Sequence, residues 1–98
     1  MDDIKFEWDP AKASANIKKH GVSFDEAQSV FFDSYARLIP DPDSSFGEER
    51  FIILGLSSDF KALVVCHCYR EPDDSIRIIS ARKADKFERK QYEEYRYA

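Results

Sequence analysis

The sequence predicts a single α+β domain over residues 1–98, an antiparallel β-sheet preceded by two helices and followed by one. Helix-capping residues cluster at 9–26 and again at 85–88, whereas β-rich runs separated by short polar turns fill the stretch between them. The 98 residues, 43% of them hydrophobic, suffice for one core but not two, since folding at this length hides only about 60–65% of the unfolded surface. Any active site must then be a surface cleft or an open sheet face.

Lys5-Phe6-Glu7-Trp8 alternates polar and apolar side chains as a short strand does, and Asp9-Pro10 stops it, with Asp as N-cap and Pro at the first helical position. This helix runs through Ala11, Ala13, Ala15 and Ile17 to Lys19, and His20-Gly21 ends it with a cation and a left-handed stop. Ser23-Phe24-Asp25-Glu26 has the form of a capping box, with Val22 and Ala27 as its staple. A second helix therefore buries Phe24, Ala27, Val30 and Phe31 and ends near Asp33-Ser34. After Ala36 to Pro40 and the turn-rich Asp41 to Gly47, three β-rich runs follow: Arg50 to Leu56, Ala62 to Tyr69 and Ser75 to Ala81. Their connections, Ser57-Ser58-Asp59 and Glu71-Pro72-Asp73-Asp74, have hairpin length, so an antiparallel meander is expected with the apolar Ala62–Cys66 run at its centre. Asp85 and Glu88 repeat the capping spacing and open a last helix whose amphipathic face holds Phe87, Tyr92 and Tyr95.

The formal charge of −4 is a poor global signature for a nucleic-acid binder, but it is unevenly spread. Residues 1–49 carry 5 basic and 11 acidic side chains, net −6, and residues 50–98 carry 10 basic and 8 acidic, net +2. Between Ile76 and Lys90, Arg77, Arg82, Lys83, Lys86, Arg89 and Lys90 face only Asp85 and Glu88, a basic patch suited either to a polyanion or to plain solvation. The opening residues lack a secretory pattern and no apolar run is long enough to span a membrane, so a cytoplasmic location is expected. Cys66 and Cys68 flank His67 in an apparent strand, where neighbours point to opposite faces; reduced, core-packed thiols are expected there, with no metal.

Lys12, Asn16 and Lys19 recur at i, i+4 and i+7 with His20 one step on, which sets a cationic stripe with an imidazole at its end on one side of the first helix. The same residues also fit an ordinary solvated face closed by a C-terminal cap. A second set lies at the strand ends: Arg70 and Arg77 flank a hairpin, Arg82-Lys83 follow, and Glu48, Glu49 and Arg50 precede another strand. Guanidinium groups converging there would suit one phosphate, although edge strands also carry charge merely to resist aggregation. Tyr69, Tyr92, Tyr95 and Tyr97 suit base stacking, yet packing is the commoner use of such rings. No Gly-rich phosphate loop, nucleophile elbow or acidic metal cluster is visible, so an NTPase, a serine hydrolase and a metallohydrolase are disfavoured and no cofactor is expected.

Phe6-Glu7-Trp8-Asp9, Lys12, Asn16, Lys19-His20-Gly21-Val22, Phe24 and Glu26-Ala27 together resemble the opening of BrnT-type toxins. Glu48-Glu49-Arg50-Phe51, Gly55, Arg77 to Ala84, Glu88 and Tyr92 are similar to the remaining blocks of that family, so the resemblance spans nearly the whole chain. It departs at Ser44, where many relatives would carry His. The resemblance implies a RelE-like fold and a metal-independent endoribonuclease toxin of a type II toxin–antitoxin pair. A BrnA-like ribbon-helix-helix antitoxin would be its partner in a hetero-oligomer and would supply all contact with operator DNA. For attack of the RNA 2′-hydroxyl on phosphorus, it points to His20 or Glu49 for proton transfer and to Arg50, Arg77 and Arg82 for charge, with Lys12, Asn16, Lys19, Arg70 and Lys83 holding RNA. The rival expectation is a degenerate toxin that binds the antitoxin and acts only as a corepressor.

Overall fold

The computed structural model describes residues 4–42, 49–71 and 75–97. Residues 72–74 of the turn expected at 71–74, together with Ser44 and Glu48, lie outside the described residues. The elements run β1 (Phe6–Glu7), α1 (Pro10–His20), α2 (Phe24–Ser29), a 3-10 turn (Val30–Phe32), β2 (Arg37–Pro40), β3 (Phe51–Leu56), β4 (Ala62–Arg70), β5 (Ser75–Lys83) and α3 (Lys86–Arg96). One sheet holds all the described strands in the order β1-β5-β4-β3-β2. β3 to β5 form the expected antiparallel meander, and β2, which the sequence reading leaves outside it, adds antiparallel to β3. β1 adds in parallel to the outer edge of β5, with Phe6 opposite Ile76 and Glu7 opposite Arg77, so the sheet is mixed rather than wholly antiparallel. That pairing is available because two helices and three strands intervene in the chain before β5, and a parallel pair needs a long crossover.

The caps fall where the residue types demand them. The Asp9 carboxylate accepts the Ala11 N–H at 2.8 Å, and Gly21, at φ +70°, donates its N–H to the Ile17 carbonyl at 2.8 Å. Ser23 Oγ accepts the Glu26 N–H at 3.0 Å, but the Glu26 carboxylate accepts the Ser57 hydroxyl at 2.7 Å and so ties α2 to the β3–β4 turn. The helix gives way to the 3-10 turn after Ser29 instead of continuing to Asp33, because the Ser29 hydroxyl donates to the Glu26 carbonyl that the Val30 N–H would take in an α-helix, and that N–H turns to the Ala27 carbonyl. At α3 the box closes both ways: Asp85 accepts from the Glu88 N–H at 2.7 Å, and Glu88 accepts from the Asp85 N–H at 2.9 Å.

Val22, Phe24, Ala27 and Val30 of the helical layer pack on Ile53, Leu63, Val65, Ile76, Ile78 and Ala81 of one sheet face. The layers approach so closely that a Cβ on Gly55 would stand 3.0 Å from Val30 Cγ1, Ala36 Cβ and Asp33 Oδ2 alike. Asp33 fastens this corner, accepting the Leu56 N–H at 2.9 Å, the Tyr35 N–H at 3.0 Å and the hydroxyl of buried Tyr92 from α3 at 2.5 Å. Burial alone would raise the Asp33 pKa, but these hydrogen bonds outweigh it and hold the carboxyl below its usual range.

The Cys66-His67-Cys68 run alternates faces as a strand must. His67 is completely buried on the core side among the rings of Phe31, Phe51 and Tyr69, with Nδ1 3.3 Å from the Val65 carbonyl. Its Nε2 finds no hydrogen-bond partner among the described residues, and burial pushes its pKa down. Both cysteines are free thiols on the other face; Cys68 is buried, but Cys66 is half-buried and lines a surface groove instead of the expected core. No helix among the described residues is long and apolar enough to cross a membrane.

Candidate functional site

A β-bulge decides which side chains share the open sheet face. Cys66 pairs with Ser80 while His67 pairs with Ile78, so Ile79 is one residue too many in β5. Strict alternation from Arg77 would turn Arg82 to the opposite side. The extra residue instead leaves Ala81 against the core and sets Arg77, Ser80 and Arg82 on one face, opposite Cys68, Cys66 and Val64 of β4.

On that face lies a groove of about 290 Å³ whose polar lining is His20, Asp41, Arg50, Cys66, Ser80 and Arg82, with Ile52, Val64 and Ile79 as its apolar part. Three of the residues expected from sequence to carry chemistry, His20, Arg50 and Arg82, therefore meet from distant points of the chain.

His20 arrives through α1, and Asn16 fixes that helix. β1 pairs with the outer edge of β5 only at Ile76 and Arg77, and further along the edge the Asn16 side chain takes the place of a neighbouring strand. Its Oδ1 accepts the Ala81 N–H at 3.1 Å, and its Nδ2 donates to the Ala81 carbonyl at 2.8 Å and the Val22 carbonyl at 2.9 Å. With both amide groups engaged and only 7% of the residue exposed, Asn16 anchors the helix on the sheet edge instead of lying on the exposed stripe that its spacing predicts. One turn later, His20 ends the helix at the groove, while Lys12 and Lys19 remain exposed on its outer side.

Asp41 and Arg50 extend the β2–β3 pair by one step, the Asp41 N–H donating to the Arg50 carbonyl at 2.9 Å. The Cys66 thiol donates to Asp41 Oδ2 at 3.5 Å. Burial, then the Asp41 carboxylate, pushes this thiol up to about 11 against the opposing pull of the Arg50 guanidinium. It stays protonated at neutral pH and is no nucleophile. Arg82 makes a fork-on-fork pair with Glu88, Nη1 to Oε1 at 2.8 Å and Nη2 to Oε2 at 2.9 Å, and Nη1 also donates to the Lys83 carbonyl at 3.3 Å. A guanidinium has five N–H donors, so Nε and one Nη2 hydrogen are left for a ligand. The pair raises the Arg82 pKa and lowers that of Glu88.

The other expected residues stand apart. Arg70 and Arg77 gather around Glu7, at 3.9 and 3.8 Å, so the strand-end arginines form two clusters on one face and do not converge at a single point. Glu49 is exposed just ahead of β3 and is not part of the groove lining, where Asp41 supplies the carboxylate. Lys83 lines a different and larger hollow of about 870 Å³ beside α3, which contains neither His20 nor Arg50. Size alone would favour that hollow, but a titratable imidazole, a carboxylate and two guanidinium groups favour the smaller groove. The sequence reading does not single out Asp41, Ser80 or Cys66: the bulge that turns Ser80 outward has no sequence signature, and only the pairing of β2 with β3 brings Asp41 beside Arg50. Among the described residues, no three His, Cys, Asp or Glu side chains gather as metal ligands.

Comparison with known proteins gives the same direction. The profile of the family described as ribonuclease toxin, BrnT, of type II toxin–antitoxin systems matches residues 8–88. The crystal structure of the Brucella abortus ribonuclease toxin BrnT, determined at 1.1 Å, is similar with a TM-score of 0.65 and 22% identity, covering 86% of this chain and 100% of that one. No curated protein matches the chain.

Proposed function

Because the chain belongs to the BrnT family of ribonuclease toxins of type II toxin–antitoxin systems, we propose that it is a metal-independent endoribonuclease acting at the His20–Arg50–Arg82 groove. It works in the cytoplasm, cuts RNA so that translation and growth stop, and is neutralised by a BrnA-like ribbon-helix-helix antitoxin. The observation that carries this reading is the convergence in one groove of the His20 imidazole, the Arg50 and Arg82 guanidinium groups and the Asp41 carboxylate.

The reaction needs no cofactor in this form. The RNA 2′-hydroxyl attacks the adjacent phosphorus and gives its proton to a base, the P–O5′ bond breaks, and an acid protonates the departing 5′-oxygen. A 2′,3′-cyclic phosphate and a 5′-hydroxyl result. His20 and Asp41 are the proton-transferring groups, Asp41 taking the part expected of Glu49. Arg50 and the free donors of Arg82 meet the negative charge that builds on the phosphorane oxygens. On the same face Arg77 stands about 7 Å and Arg70 about 13 Å along the strands from the Cys66–Ser80 row, where they meet the phosphates further along the RNA, and Lys12, Lys19 and Lys83 draw the strand in.

The test is incubation of the purified chain with total RNA in EDTA beside an Arg82→Ala variant, with mapping of the ends. Removing this half-exposed side chain breaks a surface ion pair worth about 1 kcal/mol or less, so the variant should fold. Cyclic-phosphate ends from the parent and none from the variant are expected. Intact RNA at micromolar protein, with a changed operator affinity of the antitoxin, would replace this reading by the corepressor one.

A further inference from the structure

Phe60 is held in a conformation that its own chemistry opposes. It is the one described non-glycine residue with positive φ, at 61°, and its side chain is 84% exposed. A bulky side chain in the left-handed region is strained, and an exposed ring gains nothing from burial. The turn nevertheless enforces the arrangement: the Phe60 N–H donates to the Ser57 carbonyl at 2.9 Å, the Ser57 N–H to the Lys61 carbonyl at 2.8 Å, and the Asp59 N–H to Ser57 Oγ at 3.2 Å. The hydroxyl of Ser57 is itself fixed on Glu26 of α2.

Phe60 forms a ridge between two hollows that share Leu56, Phe60 and Arg96. The larger, about 870 Å³, runs along α3 and is bordered by Tyr97, 76% exposed; the smaller, about 390 Å³, is bordered by Phe32, 64% exposed. The larger carries Lys61, Lys83, Arg89 and Arg96 against Glu93 alone, net +3 in a chain of net −4. Rigid aromatic side chains surrounded by arginine are the composition of protein-binding centres.

We infer that this double hollow is the docking surface for an acidic, amphipathic polypeptide segment that sets one apolar side chain on each side of Phe60 and its carboxylates against the α3 cations. The inference rests on the toxin–antitoxin reading and assigns the segment to the antitoxin. A polypeptide fits better than RNA because the smaller hollow is lined by Phe32, Leu56 and Phe60 and sets only Arg96 against Asp33, a lining that seats an apolar side chain and offers a phosphate little.

The test measures the Kd of a BrnA-like antitoxin for the parent, Phe60→Gly, Arg89→Glu and, as a control for net charge, Lys18→Glu on the exposed side of α1. Phe60→Gly relieves the positive φ and so preserves the fold. Kd should rise at least about tenfold for each of the first two variants and change less than about twofold for Lys18→Glu. An unchanged Kd in both hollow variants overturns the proposal, assigning the surface to RNA if RNA binding falls instead, or to a second copy of this chain if a parent dimer becomes monomeric. A parent that does not bind the antitoxin at all overturns the pairing on which the proposal rests, an outcome distinct from binding that ignores Phe60.

Discussion

Asn16 distinguishes a structural from an RNA-contacting role for the first helix, and Asn16→Ala separates them by magnitude. The substitution removes three buried hydrogen bonds, two to Ala81 and one to Val22. At a net value of about 1 kcal/mol each, the loss is about 3 kcal/mol, rising toward about 5 if the abandoned backbone groups stay dry. A domain of this size has about 5–15 kcal/mol in all, so the change takes a large share of it. With about 4–8 °C of Tm per kcal/mol, the variant should melt about 12–24 °C below the parent, and its urea midpoint should fall with the slope unchanged. Asn16→Asp keeps an acceptor for the Ala81 N–H but puts a carboxylate oxygen against the two carbonyls that the amide now serves, so it should be no more stable than Ala. Circular dichroism in urea and on heating measures both. An Asn16→Ala protein that melts within about 3 °C of the parent yet fails to bind RNA would refute the reasoning and return Asn16 to the RNA surface.

Gly55→Ala inserts a methyl group 3.0 Å from Val30, Ala36 and Asp33 together and should destabilise by about 1–3 kcal/mol in thermal melting; unchanged stability would mean the layers are not in contact there. His67 has its pKa lowered by burial, so between the lowered folded value and the ordinary value of 6.5 the unfolded chain binds the proton better. Its contribution is whole above about pH 6.5 and is lost as pH falls from there through the folded value, and His67→Phe should flatten the urea midpoint over that window. The Cys66 thiol, raised to about 11, should react with iodoacetamide at pH 8 about two orders of magnitude more slowly than an ordinary thiol, and Asp41→Asn should speed it. Rapid labelling of Cys66 in the folded parent would contradict the placement of Asp41.

The elements were legible because their signals are local. Asp9-Pro10, Gly21 and the Asp85–Glu88 pair each declare a helix end through a bond made within a few residues. The exceptions are places where another group takes the same atom: the Glu26 carboxylate leaves its own cap for Ser57, thirty-one residues on, and the Ser29 hydroxyl takes the Glu26 carbonyl, where α2 ends early. β1 escaped the meander pattern because parallel pairing with β5 depends on the route of the whole chain. In the site, His20, Arg50 and Arg82 were readable as residue types. Their meeting was not, since one inserted residue in β5 settles which face Arg82 takes. Asn16 misled because helical spacing reports which residues share a side but not which sheet edge that side covers.

The acidic net charge does not describe the field over the groove, and the partners of the carboxylates explain why. Asp9 and Asp85 accept backbone N–H groups at helix starts, Asp33 accepts from Leu56, Tyr35 and Tyr92, and Glu26 accepts from Ser57. A carboxylate bonded in this way has its charge met locally by dipoles. Glu88 goes further, since its bond to the Asp85 N–H and its double bond to Arg82 make one unit of the α3 N-terminus and a guanidinium of the groove. What faces a ligand in the groove is then Arg50, Arg82 and His20 against Asp41. These carboxylates thus build the fold, while cations stand open on one sheet face, beside α3 and along the outer side of α1, and global composition is blind to that division.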